Sequence, residues 1–199
     1  MRPWAYVGAD ARTAYWILIA IYCVSEWTLA YRMRASRSDH NEDRGSLRVL
    51  VLVFPLAWFA GVAFFLSPVP GVHRADFGTP ATFHCGLVIM ACGLLLRWWS
   101  VATLGRLFTV TVAIRSGHRV IDSGPYRSIR HPSYTAILLV HLGAALCLGN
   151  AWSLLMLTIP TTAALLRRIS VEEDVLLRNL GAAYREYMSR TKRLIPGLY

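Results

Sequence analysis

Two arginines, a histidine and two tyrosines crowd the stretch SGPYRSIRHPSY, residues 123–134, with long apolar runs on either side. Pro132 biases His131 away from helix and itself suits the first turn of a helix, so Arg127, Arg130 and His131 stand just ahead of a helix N-terminus. Free N–H groups and the positive dipole end at such a place favour a carboxylate or another anion. A polar loop against lipid headgroups has the same composition. Further along, RRISVEED (167–174) carries an apolar helix straight into charge. Arg168 and Glu172 are spaced i,i+4 there, on one face one turn apart. They read either as a surface ion pair or as the rim of a site, with Arg168 holding an anionic substrate group and Glu172 accepting donors from a cofactor.

The elements that must position these residues are membrane helices. The chain has 199 residues, of which 55% are hydrophobic and only 16% charged. A soluble domain carries about a quarter charged residues. Apolar runs at 13–31, 47–67 and 82–103 each approach the roughly 20 residues that cross a bilayer core. The run 134–167 is too long for one span, and Gly149-Asn150 near its middle is a turn signal. It divides into two short antiparallel helices of about 22–25 Å, the second with Pro160 as a candidate kink. The expectation is therefore an all-α integral membrane protein of about five transmembrane helices, the last two a short helical hairpin. One domain covers 1–199, with 13–67 forming the first two spans and 82–199 the rest. Residues 104–133 and the C-terminal helix form a cytosolic cofactor-binding region.

Charge bias orients it. Five arginines lie in 32–48, five more in 105–133, and seven basic residues follow from 167 onward, against Arg2, Arg12 and Arg74 on the other side. This places the N-terminus outside and the site and C-terminus in the cytosol. The first apolar run is long and followed by a basic cluster, which reads as a span and not as a cleaved leader. The net charge of +10 comes from 21 basic residues of which only Lys192 is lysine. That skew points to a GC-rich prokaryotic genome, hence a prokaryotic cell membrane, and the hydropathy argues against nucleic acid as partner. Cys23, Cys85, Cys92 and Cys147 read as small buried hydrophobes without a CxxC, and no metal site is legible.

Several polar residues inside the spans have structural readings. Glu26 is near the cytosolic end of the first span and can snorkel or pair with Arg32 or Arg34. Arg97 reads as reaching headgroups, and His141 as a bond between helices. His73 and His84 have no assigned role. The loop RSDHNEDRG (37–45) reads as a solvated connector, and 176–187 as an amphipathic helix along the membrane surface.

Leu104-Gly105-Arg106, Gly117-His118-Arg119-Val120-Ile121, Gly124-Pro125-Tyr126-Arg127 and Arg130-His131-Pro132-Ser133-Tyr134 recur in one familiar order. Glu172-Glu173, Leu180-Gly181, Tyr184, Tyr187 and Arg193-Leu194-Ile195-Pro196 complete it. Together they resemble the isoprenylcysteine carboxyl methyltransferase family, which has relatives among phospholipid methyltransferases. The resemblance covers 104–196. It implies S-adenosyl-L-methionine as cofactor and S-adenosyl-L-homocysteine as product. It also implies cofactor contacts from His118, Arg119, Val120, Ile121, Tyr126, His131, Pro132, Ser133, Tyr134 and Glu172, with Arg168 engaging the substrate near its carboxylate. Where eukaryotic members carry a glutamine seven residues before the Gly-His pair, this chain has Thr111, left outside the site.

For a carboxylate acceptor no general base is needed, since the acceptor is already ionised at neutral pH; for an amine, Glu172, Glu173 or His131 would have to take the proton. The acceptor expected is lipid-like or prenylated and enters from the bilayer, and a monomer is assumed. The competing readings are a phospholipid or amine N-methyltransferase, an NADPH-dependent sterol-type reductase, and a lipid-binding scaffold. The reductases share the Arg-His-Pro turn but carry asparagine where Ser133 stands.

Overall fold

The computed structural model describes residues 3–33, 40–69, 71–115 and 117–199. Five helices carry the fold: α1 (Ala9–Arg32), α2 (Ser46–Leu66), α3 (Pro80–Leu104), α4 (Pro132–Leu148) and α5 (Ala151–Arg190). By length and composition α1, α2, α3 and α5 can each cross a membrane, whereas α4, at 17 residues, spans only about 26 Å. Outward faces carry large exposed apolar side chains such as Trp27, Phe59, Leu52 and Leu95, the surface lipid requires. Three of the four cysteines (Cys23, Cys85, Cys92) lie on this outer surface, and only Cys147 is buried as expected.

Each helix boundary has a local cause. Thr79 caps α3, its hydroxyl accepting from the Thr82 N–H while the Thr82 hydroxyl accepts from the Thr79 N–H, and Pro80 occupies the first turn. The expected turn separates α4 from α5: Gly149 takes a left-handed φ of 65°, and the Asn150 side chain accepts from the Trp152 and Ser153 N–H groups.

The second member of the hairpin is not short. α5 continues for 40 residues, about 60 Å, because nothing between Pro160 and Leu180 stops it. Pro160 leaves the helical dihedrals intact, and the break falls at Gly181, with φ 56° and ψ −123°. A core of about 30 Å ends near residue 170, so Glu172 and everything beyond it project past the apolar layer. At the same end lie the C-termini of α1 and α3 and the N-termini of α2 and α4. A short antiparallel ribbon, β1 (His40–Asn41) with β2 (Ala113–Ile114), adds strand to the all-α expectation and ties the α1–α2 loop to the segment after α3.

α3 packs most extensively against α4, and small residues let the backbones approach. A Cβ on Gly86 would lie 2.6 Å from the Gly143 carbonyl oxygen, and one on Gly143 would lie 2.5 Å from that of Gly86. Gly93 meets the Ala136 carbonyl oxygen in the same way, at 2.9 Å. α2 meets α5 where Ser153 Oγ donates to the Gly61 carbonyl at 2.7 Å. Between α2 and α4, Trp58 Nε1 donates to His141 Nε2 at 3.0 Å while His141 Nδ1 donates to the Ile137 carbonyl. His141 is thus the interhelical bond its sequence position suggests. Gly143→Ala, which must push backbone away from backbone, is expected to destabilise the protein by about 1–3 kcal/mol, read as a lowered melting midpoint in detergent.

Candidate functional site

The polar stretch before α4 is held by the chain's own tail. His131 precedes the helix with φ −124° and ψ 55°, and Pro132 takes the first helical position. The Arg130 N–H donates to the Lys192 carbonyl at 2.7 Å and the His131 N–H to the Arg193 carbonyl at 3.0 Å. Tyr187 Oη reaches the Tyr126 carbonyl at 2.7 Å. The centre of this arrangement is Glu173, 3% exposed. Arg130 Nε donates to its Oε1 at 2.8 Å, Arg193 Nη2 to its Oε2 at 2.8 Å, and His131 Nε2 lies 3.3 Å away. Arg130 Nη1 also donates to the Met188 and Thr191 carbonyls, closing the C-terminal end of α5. The helix 176–187 therefore turns its Tyr184 and Tyr187 face into protein, where a bilayer surface was expected.

Arg168 and Glu172 share a face, yet they are not a surface pair. Arg168 is 2% exposed, and the Tyr134 phenol stands between the two. Tyr134 Oη donates to Glu172 Oε2 at 2.5 Å and accepts from Arg168 Nε at 2.8 Å. Arg168 Nη1 donates to Asp43 Oδ1 and Ser46 Oγ, both at 3.0 Å, and Nη2 to the Val110 carbonyl. Among the described residues, one of its five N–H groups is left without an acceptor.

Asp43 corrects the reading of 37–45 as a solvated connector, of which 37–39 lie outside the described residues. It caps the first turn of α2 through the Leu47 N–H and also accepts from the Val112 N–H. Burial would raise its carboxyl, but these N–H groups and Arg168 hold it below the usual carboxylate range.

A buried cation and a half-buried carboxylate inside the spans find each other. Arg97, 5% exposed, does not reach headgroups: its Nε and Nη2 donate to Glu26 Oε1 and Oε2 at 2.7 and 2.9 Å. Its Nη1 donates to Ser133 Oγ, and its guanidinium lies 5.5 Å from the Phe108 ring centroid. Glu26 thus pairs with Arg97 and not with Arg32; Arg34 lies outside the described residues. A charge in hydrocarbon without such a partner is costly.

A cavity with about 850 Å³ of empty space, open mouth included, lies where these networks meet. Of the residues singled out in the sequence, His118, Arg119, Val120, Ile121, Tyr126, His131, Ser133, Tyr134, Arg168 and Glu172 line it. Pro132 is buried and not among the lining residues; it sets the helix start behind the wall. The opposite wall is the segment after α3, from Leu107 and Phe108 to Ile114. Two buried polar atoms on this lining, Thr111 Oγ1 and His118 Nδ1, have no hydrogen-bond partner among the described residues. Burial lowers the His118 pKa, Glu172 opposes that and Arg115 adds to it, so the imidazole is neutral at pH 7. Burial and the facing Glu172 carboxylate push the Tyr126 phenol well above its ordinary value, so it remains an O–H donor.

Thr111, Arg130, Leu176, Leu180, Tyr184 and Tyr187 also line the cavity without having been assigned to it. A signal was present. Arg168, Glu172, Leu176 and Leu180 recur every four residues, a slowly winding stripe along α5 that Tyr184 follows beyond the break at Gly181 and that a membrane-surface reading obscured.

Fold and site together define a multi-pass integral membrane protein with a small-molecule cavity at one mouth of its helix bundle. A family model described as "Isoprenylcysteine carboxyl methyltransferase (ICMT) family" matches residues 85–178. Protein-S-isoprenylcysteine O-methyltransferase B of Arabidopsis thaliana is 27% identical over 200 residues, covering 95% of this chain and 94% of that protein. A probable protein-S-isoprenylcysteine O-methyltransferase of Oryza sativa subsp. indica is 32% identical over 115 residues, 57% of this chain and 60% of the relative. The solved eukaryotic intramembrane Ras methyltransferase ICMT superposes with a TM-score of 0.64 at 21% identity, over 94% of this chain and 66% of that one. Over residues 85–178 the chain is thus similar to the isoprenylcysteine carboxyl methyltransferase family, and over nearly its whole length to the Arabidopsis relative.

Glu173→Ala leaves two arginines and a histidine around an empty position. It is expected to cost about 3–5 kcal/mol and to release the tail, read as a large loss of thermal stability together with protease cleavage after 190.

Proposed function

We propose that the chain is an S-adenosylmethionine-dependent methyltransferase of the membrane, acting on the carboxylate of an isoprenylcysteine-like lipophilic acceptor. The observation that carries this is the cavity: its lining holds, among the described residues, two unpartnered buried polar atoms and one accessible carboxylate. Residues of this kind fit the cofactor. Thr111 Oγ1 and His118 Nδ1 meet its polar groups. Glu172, with Oε2 engaged by Tyr134, keeps Oε1 for an ammonium. The apolar wall from Val120, Ile121, Val175 and Leu176 takes the flat, less polar part, and Tyr126, His131, Ser133 and Tyr134 close the side against α4. Arg119, exposed, stands at the rim.

When bound, the cofactor would supply a methyl group activated on a sulfonium: an acceptor carboxylate oxygen would bond to that carbon in line as the C–S bond breaks, leaving a methyl ester and a neutral thioether. The protein's task is then to hold donor and acceptor at attack distance and exclude water. Arg168 orients the acceptor carboxylate. With its other donors committed to Asp43, Ser46, Tyr134 and Val110, it offers a single N–H, and so it positions the anion without quenching its nucleophilicity. An ionised carboxylate needs no general base, and His131 is already engaged by Glu173.

The basic loops on the site's side orient it to the cytosol, with the N-terminus outside, in a prokaryotic cell membrane. The acceptor reaches the cavity from the bilayer. One domain carries the whole activity.

Calorimetry on purified protein should give S-adenosylhomocysteine binding, weakened about tenfold or more in Glu172→Ala and His131→Ala. Undiminished binding in both variants, or binding of NADPH in its place, would sink the assignment. Labelled S-adenosylmethionine with farnesylated cysteine analogues should yield a base-labile product. A base-stable product on aminophospholipids would make it an N-methyltransferase.

His118 predicts a pH profile. Its pKa is lowered, so it stays neutral until pH falls below the ordinary value of about 6.5, and its protonation then brings a second positive charge beside a sulfonium. S-adenosylmethionine affinity should therefore fall on acidification below that value, and His118→Asn should flatten the fall.

A further inference from the structure

Behind two of the cavity's lining residues, Ser133 and Phe108, lies an ion pair from the first and third spans that does not itself line the cavity. Glu26 is in α1, which the family match at 85–178 does not reach. Its carboxylate takes two parallel bonds from Arg97 Nε and Nη2, the planar fork geometry that fixes a guanidinium in place. With that face engaged, Arg97 directs Nη1 at Ser133, at both its Oγ and its carbonyl, and presents its guanidinium to the Phe108 ring. Ser133 and Phe108 line the cavity from opposite walls, α4 and the segment after α3. The guanidinium also sits at the N-terminal turn of α4, whose dipole end is positive and opposes a cation there. Two features of Arg97 therefore need the carboxylate of Glu26: its orientation and the cancellation of its charge.

We propose that Glu26 and Arg97 form a positioning pair that holds Ser133 and Phe108 in register and keeps the region behind them electrically neutral toward a cationic cofactor. The inference rests on the reading of the cavity as a sulfonium cofactor site and extends it to a residue of α1. Without Glu26, a guanidinium in a medium of low effective dielectric lies one side chain away from the site, and a like charge at such range is repelled.

S-adenosylmethionine carries the sulfonium methyl and its charge and S-adenosylhomocysteine carries neither, so the change in the ratio of their dissociation constants from wild type to a variant distant from that methyl reports on the charge. In Glu26→Gln, S-adenosylmethionine should weaken by at least about threefold more than S-adenosylhomocysteine. In the double variant Glu26→Gln/Arg97→Gln, the ratio should return to the wild-type value while both ligands weaken together, because Ser133 has lost its anchor. The double variant buries no unpaired ion and is the better folded of the two. A wild-type ratio in a folded Glu26→Gln overturns the electrostatic part. Wild-type affinity for both ligands in the double variant overturns the positioning part. Failure of wild-type protein to bind either ligand would fall instead on the cofactor assignment, which separates the two.

Discussion

A carboxylate removed from water must be met by cations, and Glu173 satisfies that demand by gathering three side chains from two distant parts of the chain. Arg130 and His131 come from the turn before α4, Arg193 from the tail after α5. Because Glu173 and Arg130 are buried and leaving either unpaired at low dielectric is costly, the cluster acts as a clamp, with Arg193 closing its more exposed side. It brings the tail alongside residues 128–131 as a short parallel backbone pairing, and so fixes the direction in which α5 returns after Gly181. Everything on the α4 side of the cavity is hung from that clamp.

The other wall depends on a second charge that faces the same constraint. Arg168 is buried and holds the α1–α2 loop through Asp43, the head of α2 through Ser46 and the segment after α3 through Val110. One guanidinium thus joins three connections that are far apart in sequence. Asp43 returns the favour by accepting from Val112 and Leu47, which keeps the wall from moving independently of α2. Arg168 is in this way a strut, with four of its five N–H groups committed to the parts it joins.

Much of this was legible beforehand, for physical reasons. Helix number, the turn at Gly149-Asn150 and the pairing role of His141 follow from hydropathy, from glycine's access to positive φ and from the need of a buried imidazole for partners. The clustering of His118, Tyr126, His131, Tyr134 and Glu172 followed from motif order and not from spacing on any one element, since they sit on a turn, a connector and two helices. What was misread shares one feature. Arg97, Glu26 and Asp43 were each judged by their neighbours in sequence, as headgroup contact, snorkelling acid and solvated loop, while their partners lie 71 to 125 positions away.

The amino-acid sequence by itself determined the periodic and additive properties: which segments enter lipid, where glycine and proline end them, and which residue types can meet a charged cofactor. Those are local free energies, summed residue by residue. Only the tertiary structure decided which charge pairs with which, that α5 runs on past the apolar layer, and that two polar atoms on the lining lack partners among the described residues. Ion pairing in a low-dielectric interior is a choice among all carboxylates and cations that the packed backbones bring within a few ångströms, and sequence distance does not enter it. The close backbone contact of Gly86 with Gly143 sets that packing, so the pairing of Arg97 beneath Ser133 becomes visible only once α3 and α4 lie together.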